Sequence, residues 1–134
     1  MATIRVNRQS LGQYLATNDA GAHIAFGEGD DRFSSVELLL AALGGCTGID
    51  VDYLTSRRCE PDSFDIEVSA DKVSDEQGNH LADIVVSFRL RFAEGPEGDA
   101  ARTVLPTAVQ RSHDRLCTVG RTVELPTPVR TTIV

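Results

Sequence analysis

The residues in this chain best suited to chemistry are its three cysteines, Cys46, Cys59 and Cys117. A thiolate is a nucleophile, and two thiols can share one oxidation event by forming a disulfide. Cys46 and Cys117 are 71 residues apart, and each one opens or interrupts a predicted helix. We interpret them either as an attacking and a resolving thiol, or as two small buried hydrophobic residues.

Cys46 lies in mid-helix among Gly44, Gly45 and Gly48. Each glycine costs helix stability on the order of 1 kcal/mol relative to alanine, so three of them call for a physical reason. One reason is close packing of the helix around a buried cysteine. The other is open space above the sulfur for a substrate.

The other two cysteines have cationic neighbours in the sequence. Cys117 follows Arg111 and Arg115, and positive charge lowers the pKa of a thiol and favours the thiolate. The alternative is a core cysteine on a short helix. Cys59 lies at a helix C-terminus, where the dipole disfavours a thiolate, and we expect it to be exposed and without a role.

Composition excludes several classes of function. A chain of 134 residues predicts a single domain, residues 1–134. Thirteen basic against twenty acidic residues, net −7, argue against nucleic-acid and anionic membrane partners. The N-terminus has no apolar signal segment and the cysteine count is odd, which predicts a cytoplasmic protein. The cysteine and histidine spacings match no zinc site.

The elements that must position the cysteines are predicted in the order strands, helix, strands, helix, strand. Ser34 and Glu37 form a capping box at the start of a long helix that ends near Ser56. Alternating patterns predict strands at residues 3–8, 13–17, 22–27, 64–70, 84–92 and 127–134. A polar connection is expected at 74–80, a second helical region from Asp99, and a helical turn at 116–123. This order predicts an α+β fold with mainly antiparallel sheet.

The long helix is apolar over nearly its whole circumference in its first half, which predicts burial on every side. A sheet from a chain of this length covers one side only. A second copy of the chain could cover the other, so we expect a homodimer with this helix at its centre.

Two segments carry a resemblance to a known family. Residues 35–51, SVELLLAALGGCTGIDV, resemble the cysteine helix of the OsmC/Ohr family, the osmotically inducible and organic hydroperoxide resistance proteins. Residues 113–119, HDRLCTV, resemble the second cysteine segment of that family. Element order and loop lengths extend the resemblance over essentially the whole chain.

The resemblance implies an OsmC-like fold, an intertwined homodimer and a thiol peroxidase without cofactor that acts on organic hydroperoxides. Cys46 would attack the peroxide and become a sulfenic acid, and Cys117 would condense with it to a disulfide. A small dithiol or a lipoyl-bearing protein would then reduce that disulfide.

The chain departs from the hydroperoxide-resistance branch at two positions. That branch has an arginine in the loop of its first hairpin, where residues 17–21 here contain none. It also has a glutamate ten residues before the attacking cysteine, whereas Glu37 stands nine before Cys46, a spacing more similar to the YhfA-like branch. Nine helical residues turn by about 180° and rise roughly 13 Å, so Glu37 would need a kink or the other subunit to reach Cys46.

Several alternatives remain open at this level. Arg32 and Arg115 are candidates to stabilise a thiolate, and each is otherwise a solvated surface charge. His113 is a base or a turn residue. The fold could also serve a non-catalytic protein that binds a small apolar ligand, or a redox sensor in which the disulfide alters a partner contact.

Overall fold

The computed structural model describes all 134 residues as an α+β chain of five strands and three α-helices. It forms two compact units, Met1–Ala41 and Ala42–Val134. The first contains β1 (Ile4–Ser10), β2 (Gln13–Asn18) and β3 (His23–Gly27). The long helix α1 (Ser35–Ser56) begins in the first unit and continues in the second. The predicted α+β class with antiparallel sheets is confirmed.

The first unit is an antiparallel three-stranded sheet in the order β1-β2-β3. The predicted hairpin between the second and third strands is present because its turn has the required residues. The side chain of Asn18 accepts a hydrogen bond from the Ala22 N–H at 2.9 Å, and Gly21 has a φ of 92°. Every residue of β1 is exposed, while β2 is half-buried.

Helix α1 begins at the capping box that the sequence predicts. The Ser34 N–H donates to the Glu37 carboxylate at 2.9 Å, and the Glu37 N–H donates to Ser34 Oγ at 3.1 Å. Two backbone donors that the helix leaves unpaired are therefore satisfied reciprocally. By length and composition alone α1 could cross a membrane, a test that core helices of soluble proteins also pass.

In the single chain α1 is buried along one side only, and its burial by a second copy of the chain stays a prediction. Its buried residues form one stripe: Leu43, Gly44, Thr47, Gly48, Val51 and Thr55. On other faces Ile49 and Tyr53 are 59% and 68% exposed. One chain has elements enough to cover only one side of this helix.

The second unit adds the long antiparallel hairpin β4 (Ser63–Asp75) and β5 (Gly78–Arg91). Apolar side chains alternate with exposed polar ones along both strands, as predicted. The predicted connection at 74–80 is wrong, because only residues 76 and 77 lie between the strands. Both faces of this end of the hairpin are exposed, so its strand residues show no apolar alternation.

The C-terminal part of the chain is helical and then irregular. Helix α2 (Pro96–Arg111) starts three residues before the predicted position and contains Pro106. A single turn of π-helix, Ser112–Leu116, follows, and then the short helix α3 (Thr118–Glu124). The predicted final strand at 127–134 is wrong, because these exposed residues pair with no strand of the chain.

Candidate functional site

The glycines around Cys46 serve packing at two positions and leave space at a third. A Cβ atom on Gly44 would lie 2.8 Å from Val68 Cγ2, and one on Gly48 would lie 2.6 Å from Ile66 Cδ1. These two glycines let α1 lie close against β4. A Cβ on Gly45 would meet nothing within 4 Å. The packing interpretation is therefore confirmed for Gly44 and Gly48, and open space above the sulfur for a substrate stays a prediction.

The second cysteine segment is joined to α1 through Ser112, which is fully buried. Its hydroxyl lies 2.8 Å from Thr47 Oγ1 and donates to Asp50 Oδ2 at 2.7 Å. Its carbonyl accepts the Cys117 N–H at 2.9 Å, the bond that closes the π-helical turn. Ser112 thus links the residue after Cys46 to the backbone of Cys117, through a hydrogen bond with Thr47 that spans 65 residues of sequence.

The two thiols are neighbours, and Cys117 is the more buried of the two. Burial raises the pKa of the Cys117 thiol, and the neighbouring Cys46 thiol and the negative charge of Asp50 raise it further. The Gly120 N–H, which donates to Cys117 Sγ at 3.2 Å, acts in the opposite direction.

The expectation that arginines lower the pKa of Cys117 is therefore wrong. Arg115 is exposed and makes no hydrogen bond or ion pair. Arg121 donates to the carbonyls of His113 and Asp114 at 3.2 and 3.3 Å, which braces the π-helical turn. The charged side chain that acts on the sulfur is the Asp50 carboxylate, and its sign opposes a thiolate.

A cavity of about 430 Å³ opens beside Cys117. Most of its wall is apolar, with contributions from α1, β5, α2 and α3. Three charged or titratable side chains also line it: Asp83, His113 and Glu124. Asp83 lies in a β-bulge with a φ of 51°, a conformation rare for a residue with a side chain. Cys46 does not line the cavity, so the cavity reaches the second thiol rather than the first.

His113 lies at the wall of this cavity with both ring nitrogens engaged. Nδ1 lies 3.1 Å from Asp114 Oδ1, and Nε2 lies 2.9 Å from Glu124 Oε1. The hydrogen bond with Asp114 and the charge of Glu124 raise the pKa of the imidazole. His113 is thus more than a turn residue, because it ties the π-helical turn to the end of α3.

The remaining candidates are held elsewhere in the structure. Glu37 takes part in the capping box, and a catalytic role for it stays a prediction. Arg32 forms an ion pair with Asp31 at 3.1 Å. Cys59 is half-buried rather than exposed, and its thiol lies 3.5 Å from the Glu60 carbonyl. No group of three or more His, Cys, Asp or Glu side chains is arranged to hold a metal ion.

The family model for OsmC-like proteins matches residues 27–132, which include both cysteine segments. This chain belongs to the OsmC-like family. An uncharacterised protein of Mycobacterium tuberculosis is 26% identical to this OsmC-like protein over 136 residues, covering all of this chain and 97% of the relative.

Solved structures show the same fold for this OsmC-like protein. A hypothetical protein from Aquifex aeolicus superposes with a TM-score of 0.75 at 21% identity, over 92% of this chain and 87% of the other. The organic hydroperoxide resistance protein OhrB of Bacillus subtilis superposes with a TM-score of 0.61 at 14% identity, over 92% and 90%. At these identities the likeness is one of fold.

Sequence reasoning did not find the residues that join the two cysteine segments of this OsmC-like protein. Thr47, Asp50 and Ser112 are ordinary polar residues in the sequence, and their partners are far away along the chain. Asp50 offered one local signal, because it stands four residues after Cys46 and so lies on the same helix face.

Proposed function

We propose that this OsmC-like protein is a thiol peroxidase that reduces organic hydroperoxides with Cys46 and Cys117. The observation that carries the proposal is that Ser112 brings the two cysteine segments together, with its hydroxyl 2.8 Å from Thr47 Oγ1 and its carbonyl 2.9 Å from the Cys117 nitrogen. A structural neighbour is named as an organic hydroperoxide resistance protein, which supports the substrate class. A role in oxidative-stress defence follows from that chemistry.

The proposed reaction assigns attack to Cys46 and resolution to Cys117. The Cys46 thiolate attacks one peroxide oxygen and the O–O bond breaks, which leaves a Cys46 sulfenic acid; the alkoxide takes a proton from water and leaves as an alcohol. The Cys117 thiol then displaces the sulfenic hydroxyl as water, and a disulfide forms. Burial and a raised pKa suit Cys117 to the second step, because a thiol that stays protonated does not compete for the peroxide.

Reduction closes the proposed cycle. A small dithiol or a lipoyl-bearing protein is the proposed reductant, since a dithiol can open a disulfide by two successive exchanges without another cofactor. We further propose a cytoplasmic homodimer with residues 1–134 as one OsmC-like domain, of the YhfA-like branch. Glu37 is included as a candidate that would act on Cys46 of the other subunit.

A second candidate is a non-catalytic protein that binds a small apolar ligand in the cavity beside Cys117. Its mostly apolar wall and its separation from Cys46 favour this function. The sign of the charge that acts on Cys117 also favours it, because the Asp50 carboxylate opposes a thiolate. A redox sensor that forms the same disulfide is the third alternative, distinguished from the peroxidase by turnover with a reductant.

The test is intact-mass analysis after one equivalent of an alkyl hydroperoxide, followed by peptide mapping, with hydrogen peroxide in parallel. We expect the loss of two hydrogens and a peptide that links Cys46 to Cys117, with the alkyl hydroperoxide reacting faster. Cys117→Ser should accumulate a trappable sulfenic acid at Cys46, Cys46→Ser should be inert, and Cys59→Ser is the matched control. No reaction, or slow oxidation at Cys59 alone, would favour the binding protein.

A further inference from the structure

A chain of buried hydrogen bonds connects the two cysteine segments and ends on a carboxylate. Ser112 has one hydroxyl hydrogen, which it donates to Asp50 Oδ2 at 2.7 Å. The hydrogen bond of 2.8 Å between Thr47 and Ser112 must therefore be donated by Thr47. The direction of both bonds is thus settled, and Asp50 is the terminal acceptor.

Asp50 lies near both sulfurs by virtue of two independent constraints. It follows Cys46 by four residues in α1, so the two side chains share one helix face. It also receives the hydroxyl of Ser112, whose carbonyl holds the Cys117 N–H at 2.9 Å. The carboxylate is half-buried and hydrogen-bonded through one of its oxygens, and the other oxygen is available to a second partner.

Disulfide formation in this site requires proton transfer. Cys117 must lose its proton as its sulfur attacks, and the hydroxide that leaves Cys46 must gain one. The titratable groups around Cys117 are Cys46 and Asp50, with Asp83, His113 and Glu124 at the cavity wall. His113 is not directed to the sulfur, because both of its ring nitrogens face carboxylates.

We propose that Asp50 is the proton acceptor for Cys117 when the disulfide forms, and that Ser112 positions its carboxylate. Asp50 takes the thiol proton while the S–S bond forms and the S–O bond of the sulfenic acid breaks. It then returns that proton to the departing hydroxide, which leaves as water. The Cys117 sulfur is oxidised, the sulfenic sulfur is reduced, and no net proton is consumed.

This inference rests on the proposed function for its natural setting, but the proton role can be measured without a peroxide. Cys46 is first converted to a mixed disulfide with 2,2′-dithiodipyridine in a Cys59→Ser background. Attack by Cys117 then releases pyridine-2-thione, which is followed by absorbance. The same variants are also treated with an alkyl hydroperoxide, and sulfenic acid and disulfide are quantified by mass.

The decisive variant is Asp50→Asn, which removes the base and keeps the shape. At neutral pH we expect attack by Cys117 to slow about 100-fold or more, the usual contribution of a positioned base. The rate at which the Cys46 adduct forms should change only a few-fold. The rate in the variant should rise about tenfold per pH unit and reach or exceed that of the parent at high pH, because removal of the Asp50 charge lowers the pKa of Cys117.

Three controls separate the proton role from a structural one. Asp52→Asn makes the same charge change on an exposed face of α1 and should leave the rate and its pH profile unchanged. Asp50→Glu should recover part of the rate. Ser112→Ala should slow the reaction less than Asp50→Asn does, because the base remains but is less well held. Thermal unfolding of each variant reports its folding.

The outcomes discriminate clearly. An Asp50→Asn variant with the parent rate and pH profile overturns the proposal, as does one that is slow with an unchanged profile. If hydroperoxides fail to react but thione release depends on Asp50 as described, the peroxidase function is wrong and the proton role of Asp50 stands. If both assays give a disulfide and neither rate depends on Asp50, the proton role of Asp50 is wrong and the peroxidase function stands.

Discussion

Single side chains in this protein have roles set by their partners rather than by their types. His113 illustrates this, because it has an ordinary exposed position and yet joins two carboxylates, Asp114 and Glu124. Their hydrogen bonds and charge raise the pKa of the imidazole above its value in an unfolded chain. The protonated ring therefore favours the folded state.

This gives a pH dependence with a definite sign. A raised pKa means that the stabilisation by His113 is fully present below about pH 6.5 and is lost as pH rises through the folded value. Because the pair is exposed, its contribution is about 0.2–1 kcal/mol. We expect His113→Gln to lower the melting temperature by roughly 1–4 °C near pH 5.5 and by almost nothing near pH 9. A difference that stays constant across this range would contradict the ion-pair explanation.

Glu37 allows a structural role and a proposed catalytic role to be separated. A glutamine at the third helical position also completes a capping box, so Glu37→Gln should keep the helix N-terminus and most of the stability. Ser34→Ala removes the cap itself and should cost about 1 kcal/mol. If Glu37 acts only in the cap, the Glu37→Gln variant should reduce a hydroperoxide as fast as the parent protein does. A large loss of rate with unchanged unfolding would instead support catalysis.

Local residue signals were readable from the sequence, and distant ones were not. The capping box of Ser34 and Glu37 spans four positions and depends only on their types. The Thr47–Ser112–Asp50 chain depends on which hydroxyl meets which carboxylate after folding, and each of its two hydrogen bonds spans more than sixty residues of sequence. Sequence could therefore nominate Cys46 and Cys117, but not the residues that join them.

At the scale of elements, the glycines of α1 set how closely the helix approaches β4. Gly48→Ala would place a methyl group 2.6 Å from Ile66 Cδ1, so we expect destabilisation of about 1–3 kcal/mol. Gly45→Ala adds a methyl group to open space and should instead stabilise the helix by up to about 1 kcal/mol. The two variants carry the same glycine-to-alanine change in the same helix, so their free energies of unfolding in urea can be compared directly. Equal effects would show that packing against β4 does not explain Gly48.

In the second unit, the strand residues that the sequence predicts correctly are those with a half-buried face. Half-buried alternation in β4 and β5 predicted two strands, and the end of their hairpin was missed where both faces meet water. The apolar alternation at 127–134 predicted a strand that has no partner within the chain. A strand needs a neighbour for its backbone hydrogen bonds, and local sequence does not report whether one exists.

At the scale of the whole molecule, the proposed homodimer would bury the exposed apolar residues of α1 at its interface. Ile49 and Tyr53 are more than half exposed in the single chain. We expect sedimentation to show a dimer, and Ile49→Glu to yield monomer by placing a charge at the interface. Thr103→Glu, at an exposed position on α2, is the matched control and should remain dimeric. A monomeric parent protein would refute the arrangement.

The sulfur of Cys117 is also the cap of α3, because it accepts the Gly120 N–H at 3.2 Å. Oxidation of Cys117 and ordering of the start of α3 are therefore linked equilibria, because both involve this sulfur, and each must shift the other. A disulfide sulfur turned toward Cys46 is a poorer acceptor for that amide. The Gly120 amide should then exchange with deuterium faster in the oxidised protein, and any ligand that orders α3 should make the disulfide easier to reduce.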